Sequence, residues 1–326
     1  MKAVVVTKHG GSDVLQYTDV EKPKVGPNQV LIKMHATSVN FADIKARIGK
    51  FHVNQKPPYI PGLDIAGTIE GVGSNVKKLE VGQRVIAFLS NGSYAEYVVA
   101  DEISTFPISE KVDFDTAAAC PIVSFTAYNL LVYCAKLQPG ETVLIHAGAG
   151  GVGTTAIQLA KLLGAKVVIA TVGSNEKVPI AKEAGADYVF NYQEGDFVTE
   201  VQKVTGNKGV DIILDSLAGE VFEKSLECLS YYGRIINFGN SKGSLGGNVN
   251  TLQLHSSCRS VIGYSLGTTR QERPEVLKIT AEGVLPYIES GQLKMVIGKK
   301  FKLSEAARAQ QWIEDRKSTG KILLCP

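Results

Sequence analysis

The sequence predicts a two-domain α/β protein in which a β-rich domain precedes a doubly wound parallel sheet. Residues 1 to about 120 contain short β-like runs separated by glycine and proline turns. From about residue 140, almost continuous apolar runs alternate with helical stretches, which is typical of a parallel sheet covered on both faces. The length of 326 residues agrees with two domains of roughly 100–200 residues each.

Composition and charge argue against several classes of function before any motif is considered. The chain is 44% hydrophobic and 21% charged with a formal net charge of +3, the balance of an ordinary globular protein. It contains no dense Lys/Arg block, so nucleic-acid binding is not favoured. No apolar run approaches the roughly 18 residues of a membrane span, and none is long enough for a signal peptide at the start. The five cysteines are scattered without a CxxC pair, which favours a reducing, cytoplasmic setting.

The β-rich region is expected to form a partly open barrel or sandwich. Its strand-like runs lie at residues 29–34, 66–70, 82–87 and 94–99, and turn residues fill 56–58, 60–62 and 71–75. Residues 1–6 are expected to be an edge strand.

The second region is expected to alternate strands with helices. Strands are predicted at residues 143–146, 166–170, 188–192, 210–214 and 234–238, with a last strand at 260–265, and helices at 154–163, 177–183 and 220–229. Two further helices (274–289 and 304–316) and a strand (320–324) follow, and we expect this tail to rejoin the first domain.

A glycine-rich loop follows the first strand of the second region. Residues 148–153 read Gly-Ala-Gly-Gly-Val-Gly and match G-x-G-x-x-G between a predicted strand and a predicted helix. Gly148 would permit a tight turn, Gly150 would let the backbone approach a pyrophosphate, and Gly153 would let helix and strand pack closely. The amino end of the helix would offer N–H groups and partial positive charge to phosphates. The pattern predicts a pyridine dinucleotide bound by Gly148, Gly150, Gly151, Val152 and Gly153.

The end of the next strand indicates which dinucleotide is bound. An NAD site usually carries Asp or Glu there to bond the ribose 2′-hydroxyl. Residues 171–175 read Thr-Val-Gly-Ser-Asn, and Lys177 supplies positive charge suited to a 2′-phosphate. The pattern favours NADPH, while Glu176 leaves NADH open because this acid lies close enough in sequence to face the ribose.

Several other segments carry a resemblance to a known family. They are 38–43 (SVNFAD), 47–49 (RIG), 61–67 (PGLDIAG), 92–97 (GSYAEY), 125–128 (FTAY) and 238–241 (FGNS). With the glycine loop and Arg316, they resemble the zinc-independent, zeta-crystallin-like quinone oxidoreductases of the medium-chain dehydrogenase/reductase superfamily, over essentially the whole chain. The resemblance implies a GroES-like β-rich catalytic domain (1–122, completed by about 292–326) and a Rossmann dinucleotide-binding domain (123–291).

The resemblance also implies the positions of the site residues. On the cofactor side these are Asn40, Tyr128, Gly173, Ser174, Lys177, Tyr192, Phe238, Asn240 and Arg316, and on the substrate side Asn40, Lys45, Phe51 and Asp64. The alternatives are that the two tyrosines only pack, that Asn40 only shapes a turn, and that Arg316 and Lys177 are solvated surface residues. Family members often have tyrosines where this chain has Lys45 and Phe51, and Phe51 cannot donate a hydrogen bond, so substrate preference stays open.

Zinc is not expected. A catalytic zinc needs about three Cys, His or carboxylate ligands. The zinc-binding members of the superfamily carry Cys at the position of Asn40 and a His–Glu pair at Leu63–Asp64. Residues 84–100, where their second zinc lobe would lie, contain no cysteine.

The resemblance implies NADPH-dependent transfer of hydride to a quinone or an α,β-unsaturated carbonyl, with a one-electron route left open. Asn40 is the candidate donor to the developing oxyanion, and water is the proton source. The enzymatic alternatives are an enoyl-thioester reductase and a zinc-free alcohol dehydrogenase. The non-enzymatic alternative is an NADPH-regulated RNA-binding or structural protein. In the family, the edge strand that corresponds to 260–265 pairs across a two-fold axis, so the resemblance implies a homodimer.

Overall fold

Two structural units make up the chain, and the computed structural model describes residues 1–50, 55–241 and 246–326. The first unit comprises Met1–Phe125 and Thr269–Pro326, and the second comprises Thr126–Thr268. The second unit thus ends before the expected boundary at residue 291, because the long helix at Glu275–Glu289 lies with the first unit. Within the described ranges, no helix is both long and apolar enough to cross a membrane.

The regular elements follow in chain order. The strands are β1 (Lys2–Val6), β2 (Leu15–Asp19), β3 (Gln29–Val39), β4 (Asp64–Val72), β5 (Arg84–Phe88), β6 (Tyr97–Asp101), β7 (Thr105–Pro107), β8 (Thr142–Ile145), β9 (Val167–Val172), β10 (Tyr188–Asn191), β11 (Val210–Asp215), β12 (Leu229–Asn237), β13 (Ser260–Gly263), β14 (Ile297–Lys302) and β15 (Lys321–Cys325). The helices are α1 (Phe41–Arg47), α2 (Phe114–Ala119), α3 (Pro121–Asn129), α4 (Gly151–Leu162), α5 (Val178–Glu183), α6 (Phe197–Val204), α7 (Gly219–Cys228), α8 (Thr251–Ser257), α9 (Leu266–Glu272), α10 (Glu275–Glu289) and α11 (Ala306–Glu314).

The first unit is built on a seven-stranded sheet ordered β14-β15-β3-β4-β5-β7, with β6 also paired to β3. Strand β15 runs antiparallel to β3, with Ile322 opposite Val39. This pairing places the start of β15 beside the end of β3. The expected strand at 320–324 is an interior strand because β14 covers its other edge. A buried apolar cluster that includes Ile32, Ile65 and Leu324 forms the core.

The second unit contains a parallel sheet of six strands ordered β10-β9-β8-β11-β12-β13. Successive strands after β8 first move to one side, to β9 and β10, and then to the other, to β11, β12 and β13. The order therefore reverses next to β8, and the carboxyl ends of β8 and β11 border this reversal, the usual place for a ligand crevice in an open parallel sheet. The interior residues Leu144, Ile169, Ile213 and Ile235 are completely buried, as the continuous apolar runs predict. The predicted fold class is confirmed.

One expected strand is shorter in the structure, and another lies in a separate sheet. The sequence predicts one strand over residues 94–99, yet β6 begins at Tyr97. The reason is that the backbone of Tyr94 bonds to residues outside β3. Its N–H donates to the carbonyl oxygen of Pro61, and its carbonyl oxygen accepts from the N–H of Val4. The expected edge strand at the start of the chain is β1, which pairs with β2 in a separate two-stranded sheet.

Candidate active site

The glycine-rich loop leaves the carboxyl end of β8 and runs directly into α4. Gly150 precedes the helix in an extended conformation, with φ −83° and ψ 174°. The N–H of Gly148 donates to the carbonyl oxygen of Thr171 on β9 at 2.9 Å, which ties the loop to the neighbouring strand. Helix α4 begins at Gly151, earlier than predicted, so the last glycines of the motif form its first turn. Its amino end, with N–H groups that no helical carbonyl can satisfy, thus lies at the carboxyl edge of the sheet.

The three motif glycines have different steric environments. A Cβ on Gly153 would collide with the carbonyl oxygen of Ala147 and lie 2.7 Å from the Cα of Gly148. A Cβ on Gly148 would lie 2.7 Å from the Cβ of Ala170 on β9. A Cβ on Gly150 would meet only the carbonyl oxygen of Ala147, at 3.3 Å. Close packing therefore demands glycine at the first and last positions, whereas the middle one has a single, less severe contact.

The left-handed residue of the turn is Ala147, with a φ of 54°, rather than Gly148. The role expected for Gly148, a tight turn, is taken by its predecessor, and the close approach to Ala170 is what excludes a side chain at Gly148. The role expected for Gly153 agrees with the packing of α4 against the loop.

The residues expected near the cofactor's ribose lie at the ends of β9 and β10. Gly173 and Ser174 follow β9, and Lys177 is half-buried in the short turn before α5. Tyr192 follows β10, and its N–H donates to the carbonyl oxygen of Val172 at 3.1 Å. The parallel pairing of β9 and β10 brings these residues to one corner of the unit.

Glu176, the residue that left NADH open, is exposed and belongs to the same short turn as Lys177. The neighbouring Asn175 is held by Glu194, whose carboxylate accepts from the Asn175 amide nitrogen at 2.6 Å. A negatively charged side chain, Glu176, and a positively charged one, Lys177, thus both lie in this turn.

Phe238 and Asn240, expected near the nicotinamide, follow β12 on a loop that is anchored to the neighbouring strand. The N–H of Phe238 donates to the carbonyl oxygen of Asp215, at the end of β11, at 2.9 Å. The Asp215 carboxylate is fully buried and accepts from the N–H of Leu217 at 2.9 Å and from the side chain of Asn237 at 2.8 Å. Asp215 therefore joins the loops that follow β11 and β12.

Sequence reasoning missed Asp215 and Asn237, and it also missed His146. His146 directly follows β8 and is almost completely buried; its ring nitrogens lie 2.8 Å from the hydroxyls of Thr171 and Ser225. Polar residues at the carboxyl ends of parallel strands were the available signal, since this edge is where a ligand crevice forms.

Two more expected cofactor residues lie on helices or next to them. Tyr128 is on α3, and its ring contacts the ring of Tyr133 edge-on at 6.3 Å between centroids. Arg316 lies in the first unit just after α11, with an exposed side chain and a φ of 60°.

In the first unit, Asn40 and Asp64 form one buried polar cluster. Asn40 immediately precedes α1 and is 6% exposed, and its N–H donates to the carboxylate of Asp43 at 2.8 Å. Its side-chain nitrogen donates to Oδ1 of Asp64 at 2.8 Å. The same Oδ1 accepts from the hydroxyl of Ser38 at 2.7 Å. Asn40 therefore does shape the start of a helix, and its amide is at the same time held by a buried carboxylate.

A buried cation completes this cluster, and sequence reasoning did not find it. The ammonium nitrogen of Lys321 lies 2.6 Å from Oδ1 of Asn40, although 281 positions separate the two residues. Burial lowers the pKa of Lys321, and the charges of Asp64 and Asp43 act in the opposite direction. Burial raises the pKa of Asp43 to about 7 even though the Asn40 N–H and the hydroxyl of Tyr94 bond its carboxylate.

The remaining two substrate-side residues are placed differently. Lys45 is half-buried on α1, with its ammonium 5.4 Å from the ring centroid of Phe41, and burial lowers its pKa. Phe51 lies outside the described residues.

The donor set around Asn40 does not fit a zinc ion. It consists of an amide, a carboxylate already accepting two short hydrogen bonds, and an ammonium group bonded to the amide oxygen. A zinc site needs several anionic or imidazole ligands directed at one point, and a cation 2.6 Å from Oδ1 opposes a second cation there. In the part of the chain that the structure describes, no group of three His, Cys, Asp or Glu residues could hold a metal ion.

Known proteins share both units of this chain. The family described as alcohol dehydrogenase GroES-like domain matches residues 26–110, and the family described as zinc-binding dehydrogenase matches residues 151–282. A quinone oxidoreductase from Homo sapiens is 37% identical over 99% of this chain and 97% of its own length. Quinone oxidoreductase 1 from Escherichia coli (strain K12) is 36% identical over 98% of each chain.

Solved structures agree with these relatives. The crystal structure of Escherichia coli quinone oxidoreductase complexed with NADPH superposes with a TM-score of 0.93 at 32% identity and covers 100% of both chains. A quinone oxidoreductase from Pseudomonas syringae superposes with a TM-score of 0.91 at 32% identity, covering 100% of this chain and 99% of the other. The similarity therefore extends over the whole fold and not over one domain alone.

Proposed function

Because the chain belongs to the quinone oxidoreductase family of the medium-chain dehydrogenase/reductase superfamily, we propose that it is an NADPH-dependent reductase of a quinone or an α,β-unsaturated carbonyl. The observation that carries the proposal is the glycine loop on α4, in a chain that matches enzymes named quinone oxidoreductase over their full length. One of the structural relatives was crystallised with NADPH.

The residues of the second unit fit a pyridine dinucleotide. The pyrophosphate is assigned to the amino end of α4, where Gly150 leaves space for a close approach and the helix offers unpaired N–H groups. The nicotinamide is assigned to Phe238 and Asn240, because Asp215 holds the loop that carries them. When bound, NADPH supplies the hydride equivalent.

The corner at Gly173, Ser174 and Lys177 is assigned to the ribose and its 2′-phosphate. The proposal rests on the ammonium of Lys177 in the turn that follows β9, since a cation is the group that distinguishes a 2′-phosphate from a hydroxyl. Glu176 is exposed in the same turn, so selectivity for NADPH over NADH depends on which of the two side chains faces the ribose.

Asn40 is assigned as the hydrogen-bond donor to the acceptor's carbonyl oxygen. Its side-chain nitrogen carries two hydrogens, and the bond to Asp64 uses one of them. Ser38 lies 3.4–3.5 Å from the same nitrogen, too far for a strong bond, so the second hydrogen remains suited to a developing oxyanion. Water is the proposed proton source.

Rapid-mixing kinetics test the proposal. NADPH oxidation is followed after mixing with a simple quinone and, separately, with an enone, and each rate is compared with the rate in buffer. We expect the protein to accelerate at least one reaction, with a primary isotope effect when NADPH carries deuterium at the transferred position. If neither acceptor oxidises NADPH faster in the presence of the protein, the proposal is wrong.

We further infer that two copies associate through β13 and that the protein is cytoplasmic. Strand β13 is an edge of the parallel sheet, and Val261 on it is 37% exposed. An unprotected edge strand is a template for pairing with another chain. All five cysteines are free, as expected in a reducing compartment. Light scattering of the wild type and of Val261→Lys tests the dimer: a dimeric mass that falls on substitution supports it, and a monomeric wild type overturns it. Cell fractionation tests the location.

A further inference from the structure

Lys321 is a buried cation of the first unit, next to Asn40, that no part of the proposed chemistry has used. It is the first residue of β15 and is only 5% exposed. Its ammonium donates to Oδ1 of Asn40 at 2.6 Å and lies 3.3 Å from the carbonyl oxygen of Val39. Removing an ammonium from water is costly unless close partners replace the lost solvation, so its position here has to be explained by those partners.

The two groups around the Asn40 amide leave it one orientation. An ammonium can only donate hydrogen bonds, and a carboxylate can only accept them. Lys321 therefore bonds the oxygen of the amide, and Asp64 bonds its nitrogen at 2.8 Å. An amide turned by 180° would direct its NH₂ group at the ammonium and its oxygen at the carboxylate, and both contacts would be repulsive. These two bonds fix the orientation of the amide, and they therefore also fix the direction of the second N–H bond on its nitrogen.

The ammonium also changes how strongly that hydrogen binds. A positive charge on the oxygen of an amide draws electron density away from its nitrogen, and linked hydrogen bonds polarise one another in a medium of low dielectric. The surroundings qualify as such a medium, because Asn40, Asp64 and Lys321 are all buried. The second hydrogen of the amide nitrogen thereby becomes a better donor to a developing negative charge.

We propose that Lys321 is a positioning residue which orients and polarises the Asn40 side chain as the oxyanion donor, so that a fixed ammonium serves where other members of the fold could use a metal cation. The inference rests on the proposed function, since it concerns the same acceptor oxygen. Lys321 acts through Asn40 and does not contact the acceptor itself.

A double-mutant cycle separates this role from a structural one. Lys321→Met keeps the length of the side chain and removes the charge, and Asn40→Ala removes the amide. We expect Lys321→Met to lower kcat by ~10–100-fold, somewhat less than removing an oxyanion donor outright, with the NADPH dissociation constant unchanged within about twofold. In the Asn40→Ala background, the same substitution should change kcat by less than about twofold, because the group it acts through is absent. Equal losses in both backgrounds would overturn the proposal.

Two further measurements keep the result interpretable. Thermal unfolding and circular dichroism report whether each variant folds. If Lys321→Met does not fold, Lys321→Arg tests the same position with a cationic donor restored. We expect Lys321→Arg to retain at least about a third of wild-type kcat; an arginine variant that folds normally and is as impaired as the folded methionine variant counts against the proposal.

A spectroscopic measurement is independent of turnover. The side-chain NH₂ of Asn40, observed by NMR of nitrogen-15-labelled protein, should shift upfield in Lys321→Met, because loss of the ammonium removes the polarisation. An inactive wild type in which this shift occurs would refute the proposed function but not the contact. An active wild type whose Asn40 resonance is insensitive to Lys321 would refute the inference alone.

Discussion

A Cβ atom on Gly173 would lie 2.8 Å from the phenolic oxygen of Tyr192, so the two residues leave no room for a side chain at the end of β9. The hydroxyl is the far end of a long side chain and can move without disturbing the sheet. The contact therefore constrains the position of Tyr192 more than it constrains the fold.

Gly173→Ala should weaken NADPH binding while leaving stability nearly unchanged. The added methyl group displaces the Tyr192 hydroxyl from the corner that we assign to the ribose. We expect the NADPH dissociation constant to rise about fivefold, the equivalent of one ordinary hydrogen bond of ~1 kcal/mol. Fluorescence titration measures the constant. Gly195→Ala is the matched control, because a Cβ there meets nothing within 4 Å and should leave affinity unchanged. Equal affinities for all three proteins would contradict the assignment.

The glycines of the loop should separate folding from binding. Gly153→Ala places a methyl group against the backbone of Ala147 and should destabilise the second unit by ~1–3 kcal/mol, the usual cost of overpacking. Gly150→Ala meets only one atom, at 3.3 Å, and should destabilise the unit less than Gly153→Ala while binding NADPH at least about tenfold more weakly. Urea unfolding and NADPH titration of both variants test this. A Gly150→Ala protein with wild-type affinity would place the pyrophosphate elsewhere.

Lys177 should control the choice between the two nicotinamide cofactors. Replacing Lys177 with Ala removes the charge assigned to the 2′-phosphate, and we expect kcat/KM for NADPH to fall about tenfold because the site is partly open to solvent. The value for NADH should stay within about twofold of wild type. Lys203→Ala is the control, because Lys203 is an exposed lysine on α6 of the same unit. Similar losses with both cofactors would mean that Lys177 does not contact the phosphate.

Asp43 should make the first unit less stable as the pH rises. Burial raises its pKa to about 7 from an ordinary value of 3.8, with the charge of Asp64 acting in the same direction. Lys321, Tyr94 and the Asn40 N–H act in the opposite direction. Because the folded state holds the proton more tightly than the unfolded state, its contribution to stability is complete below about pH 4 and is lost as the pH rises through 7.

Urea unfolding of wild type and Asp43→Asn at pH 5 and pH 8 measures this contribution. The wild type should lose stability relative to the variant by ~1–3 kcal/mol between these two values, since each unit of pKa shift corresponds to about 1.4 kcal/mol. Asp13→Asn, which changes an exposed aspartate of the same unit, should follow the wild-type profile. Parallel profiles for wild type and Asp43→Asn would show that Asp43 does not hold a proton in this range.

Local patterns explain why much of the architecture could be predicted. The apolar runs at β8, β9 and β11, the helix after the glycine loop and the strand β13 all follow from periodicity and turn chemistry within a few residues. The extent of the second unit could not be read in this way. Helix α10 belongs with the first unit because of tertiary contacts, and no local signal in its sequence distinguishes the two possibilities.

The sequence by itself determined the parallel sheet, the glycine loop and the neutral strand end beside Lys177, because each depends on neighbouring residues and on backbone geometry. Only the tertiary structure decided that Ala147 makes the turn, that Asp215 joins two loops, and that Lys321 lies 2.6 Å from the Asn40 amide. The physical reason is that these contacts arise where β15 pairs with β3 and where separate strands end side by side. Burial then sets their strength, and burial is a property of the folded chain.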